Sequence, residues 1–311
     1  MDNLTHTLSA IVMSRAGLNR LSPQATLILA VAANVPDLDV VATVAGSGAY
    51  LHYHRGPSHS LVAMPLVALA VTLVFWLFKR SKPAFGGTYV VALIGVASNP
   101  IFDLANNYGV RLLWPFTSRW IHADFLAIFD VWIWALLLAG LIAPWFSRMV
   151  SAEIGAKTGT GRGAAVFALC AIAAYSGAKF LAHERAVAVL ESHLYQGEVP
   201  LRVAAMPSPV NPLAWTGLVE GAHFFEVHPG LNPFQDFDPS AGRVFYKPPP
   251  GPEIERARAT KPFRVFLEWA QWPLWRVTPD ADPDKEPTVE LLDLRFGDPG
   301  STPFRVSTRL Q

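Results

Sequence analysis

His54-Arg55-Gly56-Pro57-Ser58-His59 runs directly into the apolar stretch Ser60 to Phe78. That stretch is long enough to cross a bilayer, whose hydrocarbon core needs roughly 20 apolar residues at ~1.5 Å rise each. Two imidazoles and a guanidinium are thus delivered to the mouth of a membrane helix. Three further apolar runs of similar length follow, Ala84 to Phe102, Phe125 to Phe146 and Ala164 to Ala182.

Upstream, Asn3 to Gly17 reads as a short helix, with Leu4, Leu8, Ile11 and Val12 at helical spacing and Gly17 available to end it. Pro23 opens a second helix, and Pro36-Asp37-Leu38-Asp39 breaks the apolar run Ala25 to Val35. The two form a hairpin in one reading; a continuous helix from Ala25 to Ala45 is the alternative. Together the segments predict an α-helical membrane bundle of about five to six membrane helices, the first two short. The amino terminus, Met1-Asp2-Asn3-Leu4-Thr5-His6, lacks the basic region and cleavage site of a secretory signal, so insertion is expected to rely on the internal helices.

The connections sort by charge. Lys79-Arg80-Ser81-Lys82 joins the first two long runs, and Arg148, Lys157 and Arg162 lie between the third and fourth; the positive-inside rule sends both connections to the cytoplasm. His54, His59, Asp103, His122 and Asp124 then fall at the external ends of their helices. Under the hairpin reading His6, Asp37 and Asp39 join them. Six crossings would return the carboxy terminus outside as well.

Beyond residue 182 long apolar runs stop and Pro, Trp and charge rise. A polar helix, Lys179 to Tyr195, leads out of the last span, with Lys179, His183 and Glu184 expected to snorkel at the surface. Short β-like runs follow at Gly221 to Val227, Gly242 to Tyr246, Phe263 to Trp269 and Thr288 to Phe296. They predict a β-rich extramembrane domain, with Trp215, Trp269, Trp272 and Trp275 filling its core or sitting against the lipid headgroups. The domain organisation is therefore 1–182 membrane helices, 183–206 emerging helix and linker, and 207–311 external β-rich domain. Pro207 to Pro212 and Pro248 to Pro252 read as rigid turns.

Composition agrees. The chain of 311 residues is 51 % hydrophobic and only 16 % charged, too apolar for an ordinary soluble enzyme, and a net charge of +1 gives no sign of a nucleic-acid surface. The single cysteine, Cys170, excludes a disulfide framework and a Cys zinc site and reads as a small buried hydrophobe.

Before position 150 the acids are Asp2, Asp37, Asp39, Asp103, Asp124 and Asp130, with no Glu. Ionisable groups in membrane segments are costly and mark functional positions. Imidazole and carboxylate without thiolate suit zinc, and also manganese or iron, so His6, His54, His59, Asp37, Asp39 and Asp103 at one membrane face form a candidate metal site. Asp37 and Asp39 diverge whether extended or helical, so only one is expected as a direct ligand, the other orienting a histidine or holding a second ion. Ser58 reads as an N-cap. Arg55 is either an anion clamp or a bridge to an Asp. Asn106, Asn107 and Arg111 could line the same mouth; Asp130 is expected to point inward from the start of the next helix. His193, His223 and His228 show no partner pattern.

These residues carry a resemblance. Leu4-Thr5-His6-Thr7-Leu8, Pro36-Asp37-Leu38-Asp39, His54-Arg55-Gly56-Pro57-Ser58-His59-Ser60, and Asp103 with Asn106-Asn107-Tyr108-Gly109-Val110-Arg111-Leu112 resemble the bacterial inner-membrane metal-dependent hydrolases of the YdjM-like family. Looser similarity extends through Asp124 to Trp132 and Pro207 to Trp215. The resemblance implies a membrane-bound hydrolase with metal ligands at His6, Asp37, His59 and Asp103, distantly like zinc-dependent phospholipases C and single-strand nucleases. Such proteins tend to carry His four residues before the equivalent of Asp103; this chain has Asn99.

The resulting expectation is a multi-pass inner-membrane hydrolase with a periplasmic carboxy-terminal domain, cutting a phosphoester or other ester, with a lipid as one substrate. His6, Asp37, His59 and Asp103, with His54, would hold the divalent metal. Arg55, with Asn106 and Arg111, would bind substrate, and Asp39 or Asp124 would accept a proton. The alternative is a non-catalytic metal-stabilised membrane scaffold. An ion carrier is disfavoured, because the cytoplasmic halves of the spans hold no carboxylate or His ladder.

Overall fold

The computed structural model describes residues 1–78, 84–153, 160–280, 282 and 285–309. Lys79-Arg80-Ser81-Lys82 and Lys157, which carry much of the charge argument, lie outside the described residues. Two compact units emerge. One comprises Met1–Val41, Tyr53–Leu181 and Pro209–Pro212; the other comprises Ala42–His52, Ala182–Ser208 and Leu213–Gln311.

In the first unit, α1 (Asn3–Ala16) starts on Asp2, whose side chain accepts from the Thr5 amide, and stops at Gly17 with φ 147°, a conformation open to glycine. α2 (Ala25–Asn34) returns against it. Ser14 Oγ lies 2.6 Å from Thr26 Oγ1 and Asn34 Nδ2 donates to Thr7 Oγ1 at 2.9 Å, so the two helices are antiparallel. Both sequence readings of this region hold in part. The hairpin forms, and α2 also runs on into a 3-10 helix, Val35–Ala45, so that Pro36 changes the helix type without ending the rod.

After the short helix α3 (Ser47–Tyr53), α4 (Ala63–Phe78), α5 (Phe85–Leu104), α6 (Val131–Glu153) and α7 (Arg162–Glu191) complete the bundle. Among the described residues, four helices are long and apolar enough to cross a membrane, Ala25–Ala45, Phe85–Leu104, Val131–Met149 and Arg162–Glu191; a fifth is added if Gly48–His59 and Ala63–Phe78, bent by 81°, count as one span. α1, with 14 residues, is too short to count. The bend falls where Ser60 caps α4, its Oγ accepting from the Ala63 amide at 3.2 Å. Ser58, the expected cap, is turned elsewhere. The third apolar run becomes helical only at Val131, because Asp130 accepts from the Trp132 and Ile133 amides and so fixes the start of α6. Asp124 therefore sits in a loop and Asp130 is a cap that also takes the Tyr175 hydroxyl at 3.0 Å.

Packing brings the helix ends together. Ala10, Ile28, Leu29, Ala32, Met64, Ala68, Val71, Val91, Ala92 and Val96 form one core. A Cβ on Gly95 would stand 2.7 Å from the Ala32 Cβ and 3.1 Å from the Leu29 carbonyl, so α2 and α5 approach as closely as a missing side chain allows. This approach aligns Asp37, beyond α2, with Asn99 and Asp103 on α5. Gly95→Ala is expected to destabilise the protein by about 1–3 kcal/mol through overpacking. Gly86→Ala, which meets nothing within 4 Å, is expected to be neutral; thermal unfolding in detergent compares the two.

Two other expectations fail here. Lys179 is buried and its Nζ donates to the Pro212 carbonyl at 3.2 Å, an internal acceptor that replaces snorkelling to the surface. Cys170 is exposed, because the outward face of a membrane helix is as apolar as its core.

The second unit carries two antiparallel sheets. β1 (Arg202–Pro207), β2 (Trp215–Glu220), β3 (Phe224–Leu231) and β4 (Arg243–Tyr246) form one; β5 (Pro273–Thr278), β6 (Thr288–Asp293) and β7 (Arg305–Arg309) form the other. Met206, Leu218, Phe225, Val227, Trp272, Leu274, Leu292 and Leu294 make a shared core. Trp215, Trp269 and Trp272 are buried as expected, and Trp275 stacks on Phe263 at 5.5 Å. After α8 (Pro252–Ala259), Phe263 to Trp269 is a helix, α9 (Lys261–Trp269), and not a strand. Its buried residues Phe263, Phe266 and Trp269 recur every third position, and Pro262 suits a first turn.

Candidate metal centre

Four side chains from four parts of the first unit converge. His59 sits at the end of a short 3-10 turn, Pro57–His59, fully buried. Its Nε2 lies 3.3 Å from Asp37 Oδ1 and 3.4 Å from Asp103 Oδ2. Donor atoms of Asp37, His59 and Asp103 all lie within 4.8 Å of one another. His6, on α1, adds its Nε2 at 3.7 Å from Asp103 Oδ1 and 3.9 Å from Asp37 Oδ2.

The proton inventory of this cluster is informative. Ser58 Oγ donates to Asp39 Oδ2 at 2.7 Å, and it lies 3.0 Å from His59 Nδ1. A hydroxyl has one proton, and a carboxylate can only accept. Ser58 therefore receives the proton of His59 Nδ1, which leaves Nε2 as a lone pair aimed at two carboxylates. His59 Nε2, Asp103 Oδ2 and both ring nitrogens of His6 are buried without a hydrogen-bond partner. Burying polar atoms unpaired costs about 1–3 kcal/mol each. Electron-rich atoms converging in this way fit a cation, and the neutral-imidazole and carboxylate set is of the kind that holds a divalent metal.

Around these donors lies a layer that holds them in place. Asp39 is its hub, taking His54 Nδ1 at 2.7 Å on Oδ1 and the Arg55 amide at 2.9 Å, with Ser58, on Oδ2. His54, expected among the ligands, is placed against Asp39, its ring edge-on to Tyr108 at 5.5 Å. Asn99 lies one helical turn before Asp103, but its Nδ2 donates to Asp37 Oδ2 at 2.8 Å and to the Ala33 carbonyl at 2.9 Å. Both partners are acceptors, so the amide orientation is forced and Asn99 steadies Asp37.

Arg55 has φ 52°, and its guanidinium reaches Asp103 Oδ1 at 3.0 Å and Asn106 Oδ1 at 3.2 Å while lying over the Tyr108 ring at 4.8 Å. Of the two readings left open by the sequence, the bridge to an Asp is the observed one. The amine of Met1 also pairs with Asp103 Oδ1, so that Oδ2 is the oxygen facing His59. Asn106 is fully buried and spends its Oδ1 on Arg55 and on the Tyr108 amide at 2.8 Å. Arg111 donates its amide to the Arg55 carbonyl at 2.9 Å and stacks over Trp120 at 5.1 Å. Gly56 makes room for it, since a Cβ there would fall 2.5 Å from Arg111 Nη2. Asp124, in the left-handed region with φ 55°, pairs with His122 at 2.8 Å. Among the described residues it makes no hydrogen bond or ion pair to the four donors.

Removing the support should weaken the centre without abolishing it. Asp39→Asn and Ser58→Ala are each expected to lower metal affinity about 10–100-fold, as losses of outer partners do, with the number of sites unchanged; competitive titration against a chelating dye measures this.

Membrane helices closing over a buried carboxylate–imidazole cluster define a multi-pass membrane protein with a candidate metal centre. The comparisons give the lineage: the chain belongs to the YdjM inner membrane protein family, whose pattern matches residues 1–186. That range contains every residue of the centre and stops before the first strand at Arg202, so the looser likeness at Pro207 to Trp215 falls outside it. The chain is also 27 % identical over 157 residues to an uncharacterized protein, YfhP, of Bacillus subtilis (strain 168), a match covering 47 % of each chain. No solved structure matches. Family and apolar helices together make this a multi-pass inner-membrane protein.

Proposed function

We propose that the chain is a membrane-bound metal-dependent hydrolase acting on a phosphoester at the outer face of the inner membrane. The observation that carries this reading is the set of buried, hydrogen-bond-free lone pairs of His59, Asp103 and His6 converging with Asp37. His6, Asp37, His59 and Asp103 would hold the ion, with zinc favoured by the imidazole content and manganese or iron as alternatives. A bound divalent ion supplies Lewis acidity toward a water and a scissile oxygen. Asp39 and Ser58 fix the ring of His59 so that Nε2 is the ligating nitrogen, and Arg55 fixes Asp103 so that Oδ2 faces inward. In this reading Asp39 is a positioning residue. Asp124 with His122 is the carboxylate left to accept a proton, and Arg111 and Asn106 shape the mouth.

One observation favours a second reading, a metal-stabilised scaffold without catalysis: Arg55, the side chain best suited to grip a substrate anion, is engaged by Asp103. The purified full chain separates the two. Turnover of bis(p-nitrophenyl) phosphate that is lost in His59→Ala and Asp103→Ala supports the hydrolase. Metal retention with no turnover across phosphoester and carboxylester substrates supports the scaffold. Reporter fusions at Gly86 and at the carboxy terminus test the orientation; a cytoplasmic carboxy terminus contradicts the periplasmic placement of the β-rich domain.

A further inference from the structure

Each donor of the metal centre has a large apolar neighbour on the outside of the protein. Leu4, two residues before His6, is 50 % exposed, and Leu38, between Asp37 and Asp39, is 62 % exposed. Leu61, two after His59, is 51 % exposed, and Ile101, two before Asp103, is 66 % exposed. For His6 on α1 and Asp103 on α5, a two-residue step along the helix turns the side chain by roughly 200°, so an inward donor carries a neighbour that faces out; at Asp37 and His59 the exposed neighbour is Leu38 and Leu61. The skin of the protein at the level of the centre is therefore apolar.

The segment after Arg111 continues this surface. Leu113, Trp114 and Phe116 are exposed, with Arg119 exposed at the polar edge of the tip. The segment is fastened at its start to the centre's own framework: the Leu61 amide donates to the Leu112 carbonyl at 2.9 Å, and the Arg111 amide to the Arg55 carbonyl at 2.9 Å. Exposed Trp and Phe beside an Arg match the chemistry of the headgroup layer, where amphipathic rings sit between hydrocarbon and water. The segment lies in the connection between α5 and α6, both candidate spans.

We propose that the substrate is an anionic phospholipid taken laterally from the bilayer, with residues 113–116 seated in the headgroup layer to present the lipid phosphate to the centre. This rests on the hydrolase reading and adds the substrate class. The reaction is hydrolysis: water oxygen bonds to phosphorus, the bond from phosphorus to one ester oxygen breaks, and a proton from water ends on the departing alcohol.

The test uses the full chain in nanodiscs of phosphatidylethanolamine and phosphatidylglycerol. A spin label at Phe116→Cys, and separately at Leu113→Cys, both with Cys170→Ala, is compared for collisions with oxygen and with a water-soluble nickel chelate. The label is expected to favour oxygen. In parallel, turnover of phosphatidylglycerol is measured against turnover of bis(p-nitrophenyl) phosphate. The ratio of the two is expected to fall at least ~10-fold in Trp114→Ser/Phe116→Ser, since two aromatic anchors are lost. Labels at both positions that favour the nickel chelate overturn the docking whatever the chemistry. Turnover of the soluble diester without the lipid, or a ratio unchanged in the double variant, overturns the substrate class. If the label lies in lipid and neither diester is turned over, the hydrolase reading falls and the substrate assignment with it.

Discussion

Arg55→Ala is expected to destabilise the protein by about 3–5 kcal/mol, the usual result of removing one partner from a buried ion pair. Arg55 and Asp103 are both buried and 3.0 Å apart, and the same guanidinium also holds Asn106 at 3.2 Å. Its loss leaves the buried Asp103 charge short of a partner. Arg55→Lys should recover only part of the loss, because one ammonium cannot serve Asp103, Asn106 and the Tyr108 face in the way a planar guanidinium does. Denaturation of the three proteins in the same detergent gives the order wild type, Lys, Ala. Equal stability of wild type and Arg55→Ala, with weakened substrate binding alone, would return Arg55 to the anion-clamp role.

The second large effect is on metal content. His59→Ala and Asp103→Ala should each fall from about one bound equivalent to near zero, because each removes a donor from a small, closed ligand set and binding depends on the complete arrangement. Asn99→Ala should retain metal with reduced affinity, since Asn99 reaches the centre only by donating to Asp37. Elemental analysis after dialysis reads both effects. Two retained equivalents in the wild type would instead indicate a second ion.

Much of the bundle was legible because membrane hydropathy is a strong signal: α4 to α7 fall within the apolar runs Ser60 to Phe78, Ala84 to Phe102, Phe125 to Phe146 and Ala164 to Ala182 or extend them. The number of crossings was less so, since α1 stops at a short length and α4 is broken from its predecessor by Ser60. In the β-rich unit, four strands escaped notice. β1 ends on Pro207 and β5 begins on Pro273, residues that read as breaks, although Pro is tolerated at such positions. The Glu226–His228 pair was also missed. Both are buried on β3, 3.2 Å apart, and their two-residue spacing puts them on one face of a strand. Burial lowers the His228 pKa, against the pull of Glu226.

At the centre, residue type revealed which groups converge, because carboxylates and imidazoles in membrane segments have few other reasons to exist. Roles were harder to read. Whether Asp37 or Asp39 faces the cluster depends on the 3-10 geometry after Pro36, and the part played by Ser58 depends on Ser60 having taken the cap. Neither is encoded in spacing alone.

X-ray absorption at the metal edge of the loaded full chain tests the central claim most directly. The account predicts a first shell of nitrogen and oxygen only, near ~2.0–2.2 Å if the ion is zinc, with the outer-shell scattering of two imidazoles, one of which disappears in His6→Ala. A protein that takes up no ion, or a spectrum that lacks imidazole scattering, would contradict it.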